Sequence, residues 1–262
     1  MKSEKIDISN DPKSSNLTDI IADIKNQPPK GSILLDKSLL PSKGMFYPEK
    51  IYVKKLSTIN IKKLATITEQ NSNAVINNII MSCLWGVDYN KILVADKLWL
   101  VFYLRSFTYN DLPFKLRYEC KSCGTISHFD YVLDRLSVTR YEKDLPEYFD
   151  INGDKITVKF PTISTEAAVE KIKNDPNTLL DIDPGLLDFS SYIEKIDGKP
   201  VTLVSAYEYV SELDGMSFTK FTNMISDYMF IANPFAVFKC PHCGSDIEIP
   251  VPFTPSFFLP KI

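Results

Sequence analysis

Two copies of one cysteine motif, far apart in the chain, limit most strongly what this sequence can fold into. Each copy reads C-x-x-C-G, and a strand-like alternation of apolar and polar residues flanks it on both sides. The four cysteines are Cys120, Cys123, Cys240 and Cys243. We therefore predict that each motif forms the tip of a β-hairpin, where the glycine adopts the left-handed conformation that a sharp turn requires.

The four cysteines together make the ligand set of a structural zinc site. Zn²⁺ is a borderline-soft ion that binds deprotonated sulfur tightly and prefers four ligands in a tetrahedron. One C-x-x-C pair supplies only two of them, so we expect both pairs to bind a single Zn²⁺ ion per chain. Four cysteine ligands leave no open position for water, which makes the predicted ion structural rather than catalytic.

Two other chemistries use the same residues. Iron in a rubredoxin-like site is the alternative metal. A redox dithiol is the alternative function, but redox C-x-x-C pairs usually lie at the start of a helix. Neither pair here is followed by a helical pattern, so we favour a metal site over redox chemistry.

The separation of the two motifs predicts an inserted segment. Cys123 and Cys240 are separated by 116 residues, a much longer gap than in an ordinary zinc ribbon. Residues 165–235 have a mainly helical pattern, and we predict that they are inserted between the two halves of a split ribbon. The entropy cost of closing a loop grows only logarithmically with its length, so the insertion is compatible with a shared metal site.

The predicted fold belongs to the α+β class, with split four-cysteine zinc-ribbon hairpins, an N-terminal helical layer and a helical insertion between the two motifs. The 262 residues suffice for one large domain with a substantial insertion. We divide the chain into five parts. They are a flexible N-terminal arm (1–31), a mainly helical region (32–110), the first zinc-ribbon half with further strands (111–164), the helical insertion (165–235), and the second zinc-ribbon half with an apolar C-terminal tail (236–262).

The most apolar helical pattern of the chain lies before the first cysteine motif. Its spacing predicts a helix over residues 94–106, with Asp96 in the first turn and Arg105 in the last, as the helix dipole favours. We interpret Asp96 and Trp99 as cap and core residues of this helix rather than as ligand contacts.

Caps and periodicity predict further elements. We expect Ser57 or Thr58 to cap an early helix and Ser217 to cap a late one, because a serine or threonine hydroxyl can bond the free amides of a first turn. The segment LLDFSSYIEKI (186–196) is interpreted as helical, and the segment 154–164 as a strand.

The other cysteine and the two histidines are assigned structural roles. Cys83 has an apolar, helical context and is expected to be a core thiol. His242 lies inside the second motif but is surplus beside four cysteines, so we expect it to be exposed. His128 follows the first motif on a strand and is expected at the surface or next to the ligands.

Charge argues against a nucleic-acid partner. The formal net charge is −3, whereas a protein that coats nucleic acid usually carries a basic excess. Basic residues near the two motifs are offset by acidic residues in the same hairpins, which is typical of a solvated or protein-binding face. A zinc-ribbon nucleic-acid-binding or transcription-associated factor is therefore the alternative function.

The sequence contains no pattern of a catalytic or membrane protein. Common nucleotide-binding, zinc-protease and nucleophile-elbow motifs are absent, and two histidines are few for acid–base chemistry. Asp181 and Asp183 lie in DIDPG, which is typical of a turn. The apolar run Leu98–Leu104 is too short to span a bilayer, and the polar N-terminus lacks a signal-peptide core. We expect a cytoplasmic protein that is neither an enzyme nor stably inserted in a membrane.

Several segments occur in an order that resembles a known family. They are LLPSKGMFYP, VKKLS, DKLWLVFYLRSFTYN, YECKSCG, the second C-x-x-C-G and the tail IPVPFTPSFFLP. This order is similar to the small baseplate hub subunit family, the hub assembly proteins, of T-even-type contractile-tailed bacteriophages. The resemblance covers residues 35–135 and 236–260, and the part between them matches only in being helical.

The resemblance implies a function and a setting. The protein would be a structural or assembly component of the phage tail baseplate hub, with zinc as a staple between the two hairpins. Its partners would be other hub, tail tube or wedge proteins in a hetero-oligomeric assembly. Its location would be the tail baseplate of the virion, and the host cytoplasm during assembly.

Three segments keep two interpretations each. The prolines of Val251–Pro260 exclude a regular helix, and this apolar tail either lies in a groove on a partner or covers the protein's own core. The segment SKGMFYP (42–48) packs either against other residues of the same chain or at an interface with a partner. The segment Leu17–Ile24 is either a short amphipathic helix that folds onto a partner or part of a fraying arm.

Overall fold

The structure, a computed structural model of the chain, describes residues 27–48, 50–68, 71–175, 182–251 and 255–259. The predicted N-terminal arm up to residue 26, with its segment Leu17–Ile24, lies outside the described residues. The same is true of Asp181 in the predicted turn.

Short strands and helices alternate along the described chain, and this mixture of helix and sheet confirms the mixed class expected from the sequence. The strands are β1 (Ile33–Leu34), β2 (Tyr52–Val53), β3 (Leu84–Trp85), β4 (Phe114–Glu119), β5 (Ile126–Tyr131), β6 (Val138–Thr139), β7 (Phe149–Ile151), β8 (Asp154–Val158), β9 (Ile193–Ile196), β10 (Lys199–Pro200), β11 (Ile231–Ala232), β12 (Phe235–Lys239) and β13 (Asp246–Pro250). The α-helices are α1 (Thr58–Leu64), α2 (Ser72–Cys83), α3 (Val94–Tyr109), α4 (Ile163–Lys173), α5 (Pro184–Ser190), α6 (Leu203–Glu212), α7 (Gly215–Ser226) and α8 (Pro255–Phe258). Single 3₁₀ turns lie at Lys37–Leu39, Tyr89–Lys91 and Leu133–Arg135.

Helix α3 is the centre of the largest hydrophobic core in the described part of the chain. Its buried side chains include Trp99, Leu100, Phe102 and Leu104, which lie on several faces of the helix rather than on one. A helix that is apolar all round needs cover on all sides. That cover comes from α2, from the three-stranded sheet in the order β1-β2-β3, and from the inner faces of the two cysteine hairpins. We call this part of the fold the frame.

The two polar residues predicted on α3 have different outcomes. Asp96 lies in the first turn as predicted, but it does not cap the helix. Its carboxylate is fully buried and accepts hydrogen bonds from Ser42 N–H (2.8 Å) and the Tyr47 hydroxyl (2.6 Å). Arg105 does not lie in the last turn, because α3 continues to Tyr109 and ends at Asn110 with a left-handed backbone. Its prediction was wrong because the apolar pattern ends before the helix does.

Arg105 instead holds the C-terminal tail against the frame. Its Nε donates to the carbonyl of Phe257 and its Nη1 donates to the carbonyl of Leu112, both at 2.7 Å. Phe257, Phe258 and Val251 are buried in the core of the frame. The described part of the tail therefore covers its own core, and its only helix, α8, is a single turn.

The described residues between 142 and 229 form an inserted unit with a second hydrophobic core. Its four-stranded sheet has the order β10-β9-β8-β7, and α6 and α7 bury Val210 and Phe221 with the strand residues Ile151 and Ile156. The predicted strand in the segment 154–164 is β8, and it pairs with β9 of this unit.

Two expectations for this unit were wrong. The segment LLDFSSYIEKI is not helical throughout, because its second half forms β9 and buries Ile193 beside β8. The insertion is consequently mixed helix and sheet. Ser217 does not cap α7 either: the carboxylate of Asp214 accepts from the N–H groups of Met216 (2.9 Å) and Ser217 (3.0 Å). A charged carboxylate is favoured there because the helix N-terminus carries partial positive charge.

The early cap and the lone cysteine are as predicted. Ser57 precedes α1 and its hydroxyl accepts from Asn60 N–H at 3.3 Å. Cys83 is 1% exposed in the core of the frame, with its thiol 3.4 Å from the Asn60 amide. Burial raises the pKa of this thiol.

The chain passes from the frame into the inserted unit and back again at one place. Strand β6 pairs with β11, so that Thr139 lies opposite Ile231 and Val138 opposite Ala232. Beside this pair, the rings of Tyr141, Phe160 and Phe230 pack together, with Phe160 and Phe230 centred 4.7 Å apart. The chain therefore reaches the second cysteine motif from the same point at which it left the first.

The segment SKGMFYP packs against other residues of the same chain through its two aromatic side chains, Phe46 and Tyr47. The Phe46 ring lies 5.2 Å from that of Tyr141, centre to centre, and the Tyr47 hydroxyl accepts from Leu93 N–H at 2.9 Å. Met45, which directly precedes Phe46, is 66% exposed. Among the described helices, none is long and apolar enough to cross a membrane.

Candidate metal centre

The two cysteine motifs form the tips of two β-hairpins that pack face to face. Strands β4 and β5 form the first hairpin, and β12 and β13 form the second. The ring of Phe129 stacks on that of Phe238 at 4.2 Å, and Tyr118 packs on Phe129 at 5.1 Å. These aromatic contacts hold the two hairpins in register below their tips.

Both tips have the same backbone turn. In the first, Cys120 N–H bonds to the Thr125 carbonyl (2.9 Å) and Gly124 N–H to the Cys120 carbonyl (2.8 Å). In the second, the equivalent bonds have lengths of 2.8 and 2.9 Å. Gly124 and Gly244 have φ of 68° and 74°, which side chains other than glycine rarely adopt. The two copies of C-x-x-C-G therefore fold alike.

The four thiols converge on one point. All four sulfur atoms lie within 4.8 Å of one another. The Sγ of Cys120 is 3.7 Å from that of Cys243, and the Sγ of Cys123 is 3.8 Å from that of Cys240. A tetrahedral zinc site with Zn–S bonds of about 2.3 Å has sulfur atoms about 3.8 Å apart. The cluster could therefore hold a metal ion, while its binding of one stays a prediction.

Neighbouring hydroxyl groups favour the deprotonated form of two of these thiols. The Ser245 hydroxyl lies 3.3 Å from the Cys120 sulfur and lowers the pKa of Cys120 to about 6. The pKa of Cys240 is also lowered, first by the Tyr118 hydroxyl that faces it and then by backbone N–H groups of the turn. Thiolate is the form that binds metal ions.

The Tyr118 hydroxyl, which faces the Cys240 sulfur, also bears on whether a thiolate–metal centre fits here. Its hydroxyl is buried and has no hydrogen-bond partner of ordinary geometry in the described part of the chain. Burial raises the pKa of Tyr118 to about 12, so the hydroxyl keeps its proton at neutral pH. An unpaired buried donor is costly, and a metal-bound thiolate at Cys240 is an acceptor that would satisfy it. The residues present therefore fit a four-cysteine metal site.

The cluster is buried on one side only. Cys120 and Cys240 are each 2% exposed, whereas Cys123 and Cys243 are exposed. All five cysteines of the chain are free thiols. Solvent, and with it a chelator, can reach the cluster from the side of the second cysteine of each motif.

The histidines lie outside the cluster. The group of potential ligands found among the described residues contains cysteines alone, and both His128 and His242 are exposed. The hydroxyl groups of Thr125 and Ser245, by contrast, escaped the sequence analysis. Their signal was present: in both motifs a hydroxyl residue follows the glycine directly, so the repeat is C-x-x-C-G-[ST].

Comparison with known proteins identifies one family. The family model described as T4 bacteriophage base plate protein matches residues 37–259, which include all four cysteines and the whole inserted unit. A search of curated proteins and a search of solved structures each gave no match.

Proposed function

The chain belongs to the T4 bacteriophage base plate protein family, and on that basis we propose that it is a structural or assembly component of the hub of a contractile phage tail. The family match carries this proposal, because it covers most of the chain. The hub assignment is finer than the match; it is supported by the order of the SKGMFYP, WLVFYLR and C-x-x-C-G segments, which resembles hub subunits.

Membership of a base plate family implies a place in the virion tail, in assembly with other phage tail proteins. We propose that its neighbours are other hub, tail tube or wedge proteins, which it meets in the host cytoplasm during assembly. The family favours a structural role over an enzymatic one.

Zinc is proposed as a structural staple, with one ion per chain bound by Cys120, Cys123, Cys240 and Cys243. When bound, the ion supplies bonds between two hairpins that lie far apart in sequence, and such bonds contribute directly to folding energy. The proposal is supported by the sulfur–sulfur distances, the lowered pKa of Cys120 and the unpaired Tyr118 hydroxyl.

The division of the chain into five parts, made from the sequence, also stays a prediction.

The surface of the hairpins favours a protein partner over nucleic acid. Lys115 lies opposite Asp130 in the first hairpin at 4.0 Å, and Lys239 lies opposite Asp246 in the second at 3.6 Å. Side-by-side opposite charges do not build the basic face that phosphate binding requires. The alternative, a zinc-ribbon nucleic-acid-binding factor, predicts salt-dependent DNA or RNA binding.

The proposed function can be tested in cells infected by the phage that encodes the chain. A tagged copy of the chain is expressed during infection, and tail intermediates are separated by sedimentation and identified by mass spectrometry. The chain is expected in fractions that contain the central hub and tail tube proteins, before wedges have joined them. A tagged tail protein of known wedge position serves as the control.

Two results would overturn parts of this proposal separately. Recovery of the chain with wedge intermediates alone would remove the hub assignment and keep the base plate assignment. Recovery with no tail protein at any stage, together with salt-dependent binding of DNA or RNA, would establish the alternative function.

A further inference from the structure

A cleft lies where the inserted unit meets the frame. Its volume is about 280 Å³, and it is bounded by Val94 and Ala95 of the frame, by α4 and α5 of the inserted unit, and by Phe230 beside the β6–β11 pair. A second cleft of about 290 Å³ shares Asn73 and Glu166 with the first and continues it along α3. The two form one groove between the parts of the fold that carry the two cores.

The wall of the cleft is mainly apolar and partly aromatic. Phe160, Tyr192, Met229 and Val94 supply its accessible apolar surface, and Phe230 behind them is 1% exposed. Aromatic faces attract cations, and the attraction is stronger where water is excluded. This wall therefore suits a ligand with an aliphatic stem and a positively charged end.

The charged groups in the cleft leave one negative charge without a cation. Two ion pairs are formed, Lys97 with Glu166 at 2.7 Å and Lys173 with Asp188 at 2.8 Å. The carboxylate of Glu170 accepts a hydrogen bond from the Asn73 amide but forms no ion pair among the described residues. The cleft accordingly combines an apolar wall with one carboxylate that lacks a counter-ion.

Tyrosines near the cleft are affected by its acidic groups. Burial raises the pKa of Tyr192, and the Asp188 carboxylate raises it further. Burial raises the pKa of Tyr89 to about 12, with a second contribution from Glu166. Burial is the larger cause at both tyrosines, and the carboxylates of Asp188 and Glu166 add a smaller contribution in the same direction. Because both of these carboxylates are ion-paired, the attraction of the cleft for a positive group rests on Glu170.

We propose that the cleft binds an arginine side chain presented by a partner protein in the tail. Arginine is the residue of choice because its guanidinium is weakly hydrated, stacks on aromatic rings and pairs with a carboxylate through two N–H groups. That the partner is a tail protein rests on the proposed function; the arginine recognition rests on the cleft alone. The bound side chain contacts both the frame and the inserted unit, so docking of the partner fixes one against the other.

The proposal is tested on the full chain with a small arginine probe. N-acetyl-arginine methylamide is titrated into ¹⁵N-labelled protein, and amide shifts are followed by NMR. Saturable shifts are expected at cleft residues such as Ala95, Val169 and Ser191. The equivalent citrulline compound has nearly the same shape without the charge, and it is expected to cause no saturable shifts there.

Two variants with the same change of charge separate the cleft from the rest of the surface. Glu170→Gln should weaken binding of the probe about tenfold, as expected when one charge-assisted hydrogen bond is lost. Glu208→Gln, on the exposed side of α6, should bind as tightly as the natural chain. The ¹⁵N spectrum of each variant without probe shows whether its fold is retained.

Several outcomes overturn the proposal. They are an absence of saturable shifts up to the solubility limit of the probe, equal binding of the citrulline compound, and unchanged binding by Glu170→Gln. Sedimentation of tail intermediates tests the proposed function independently. Arginine binding by a chain that joins no tail intermediate would keep the cleft as a site and remove only the tail protein as its partner.

Discussion

Hydroxyl groups next to the thiols decide how well single cysteines of the cluster can serve as ligands. Ser245 lies within 3.3 Å of the Cys120 sulfur and 3.0 Å of the Cys243 sulfur, so one hydroxyl links the two hairpins. Thr125 holds the corresponding place in the first motif, 3.4 Å from the Cys123 sulfur. Metal ligands are commonly oriented by such neighbouring groups.

Replacement of one exposed ligand should release the metal. In Cys123→Ser, the thiolate is replaced by a hydroxyl that binds Zn²⁺ poorly, and the two hairpins lose their link. We expect metal content to fall from one ion per chain to near zero, and the free energy of unfolding to fall by about 4 kcal/mol or more, as is usual for loss of a structural metal. Elemental analysis and urea denaturation measure the two effects.

The control for this variant lies in the second motif. His242→Ala changes an exposed side chain between two proposed ligands and should leave metal content and stability unchanged. The proposal that a metal ion links the two hairpins would be refuted if the natural protein contained no metal, or if Cys123→Ser were as stable as the natural chain.

Tyr118→Phe tests the unpaired hydroxyl. Without metal, removal of a buried donor that lacks a partner should cost no stability. With metal, the variant loses a hydrogen bond to the Cys240 thiolate, and we expect its metal affinity to fall about tenfold, as for other groups that support ligands. Competition with a chromogenic chelator measures this affinity. Equal affinities of the variant and the natural chain would mean that the hydroxyl does not contact the thiolate.

Among secondary-structure elements, α7 depends on its cap in a way that pH can reveal. Hydrogen bonds from the Ser217 side chain and then from the Ser217 N–H hold the pKa of Asp214 at about 2, below its ordinary value of 3.8. A carboxylate with a lowered pKa stabilises the fold above its unfolded pKa, and this contribution is lost as the pH falls through the folded pKa. The loss should therefore occur between about pH 4 and pH 2.

Asp214→Asn keeps a capping side chain and removes the charge. We expect its free energy of unfolding to fall less steeply between about pH 4 and pH 2 than that of the natural chain, because the titrating group is gone. Urea denaturation at a series of pH values gives the slope. Asp227→Asn, at the other end of α7, makes the same change of charge and should retain the steeper fall. Parallel curves for Asp214→Asn and the natural chain would contradict the cap assignment.

The elements that could be predicted from the sequence are those with a long pattern of one period. Helix α3 and the four hairpin strands are of this kind. Strand β9 was missed because its alternation covers only a few residues and directly follows a helical segment; its pairing with β8 decides its conformation. The cap of α7 was misplaced by three residues, since Asp214 and Ser217 are both good caps by residue type.

At the scale of the whole molecule, the β6–β11 pair connects the frame to the inserted unit. Each strand has two residues, too few to produce a pattern in the sequence. The convergence of the four thiols could be predicted from the repeat of C-x-x-C-G, and the slow growth of loop entropy made the 116 intervening residues compatible with it. The contact between residues 139 and 231, which brings the two ends of the insertion together, could not be predicted and is seen only in the folded chain.

Removal of the inserted unit tests this arrangement. If residues 142–229 are replaced by a short Gly-Ser linker, β6 and β11 can still pair, and the metal content should remain one ion per chain. Stability should fall, because Ile163 leaves the core of the frame and uncovers its neighbours. Elemental analysis and thermal unfolding measure both. The same deletion combined with Cys240→Ser should lose the metal; loss of metal from the deletion alone would show that the inserted unit is needed to bring the hairpins together.

The position of the inserted unit also determines the order of events while the ribosome makes the chain. At about 5–20 residues per second, the first cysteine pair waits on the order of ten seconds for the second. By then the inserted unit has been synthesised in full, and its separate core can form. The second cysteine pair and the tail residues Phe257 and Phe258 follow the inserted unit in the chain, so the frame can close only after that unit has been made. A chain that has been made only as far as the inserted unit thus retains an open frame, with the thiols of Cys120 and Cys123 still without the second pair.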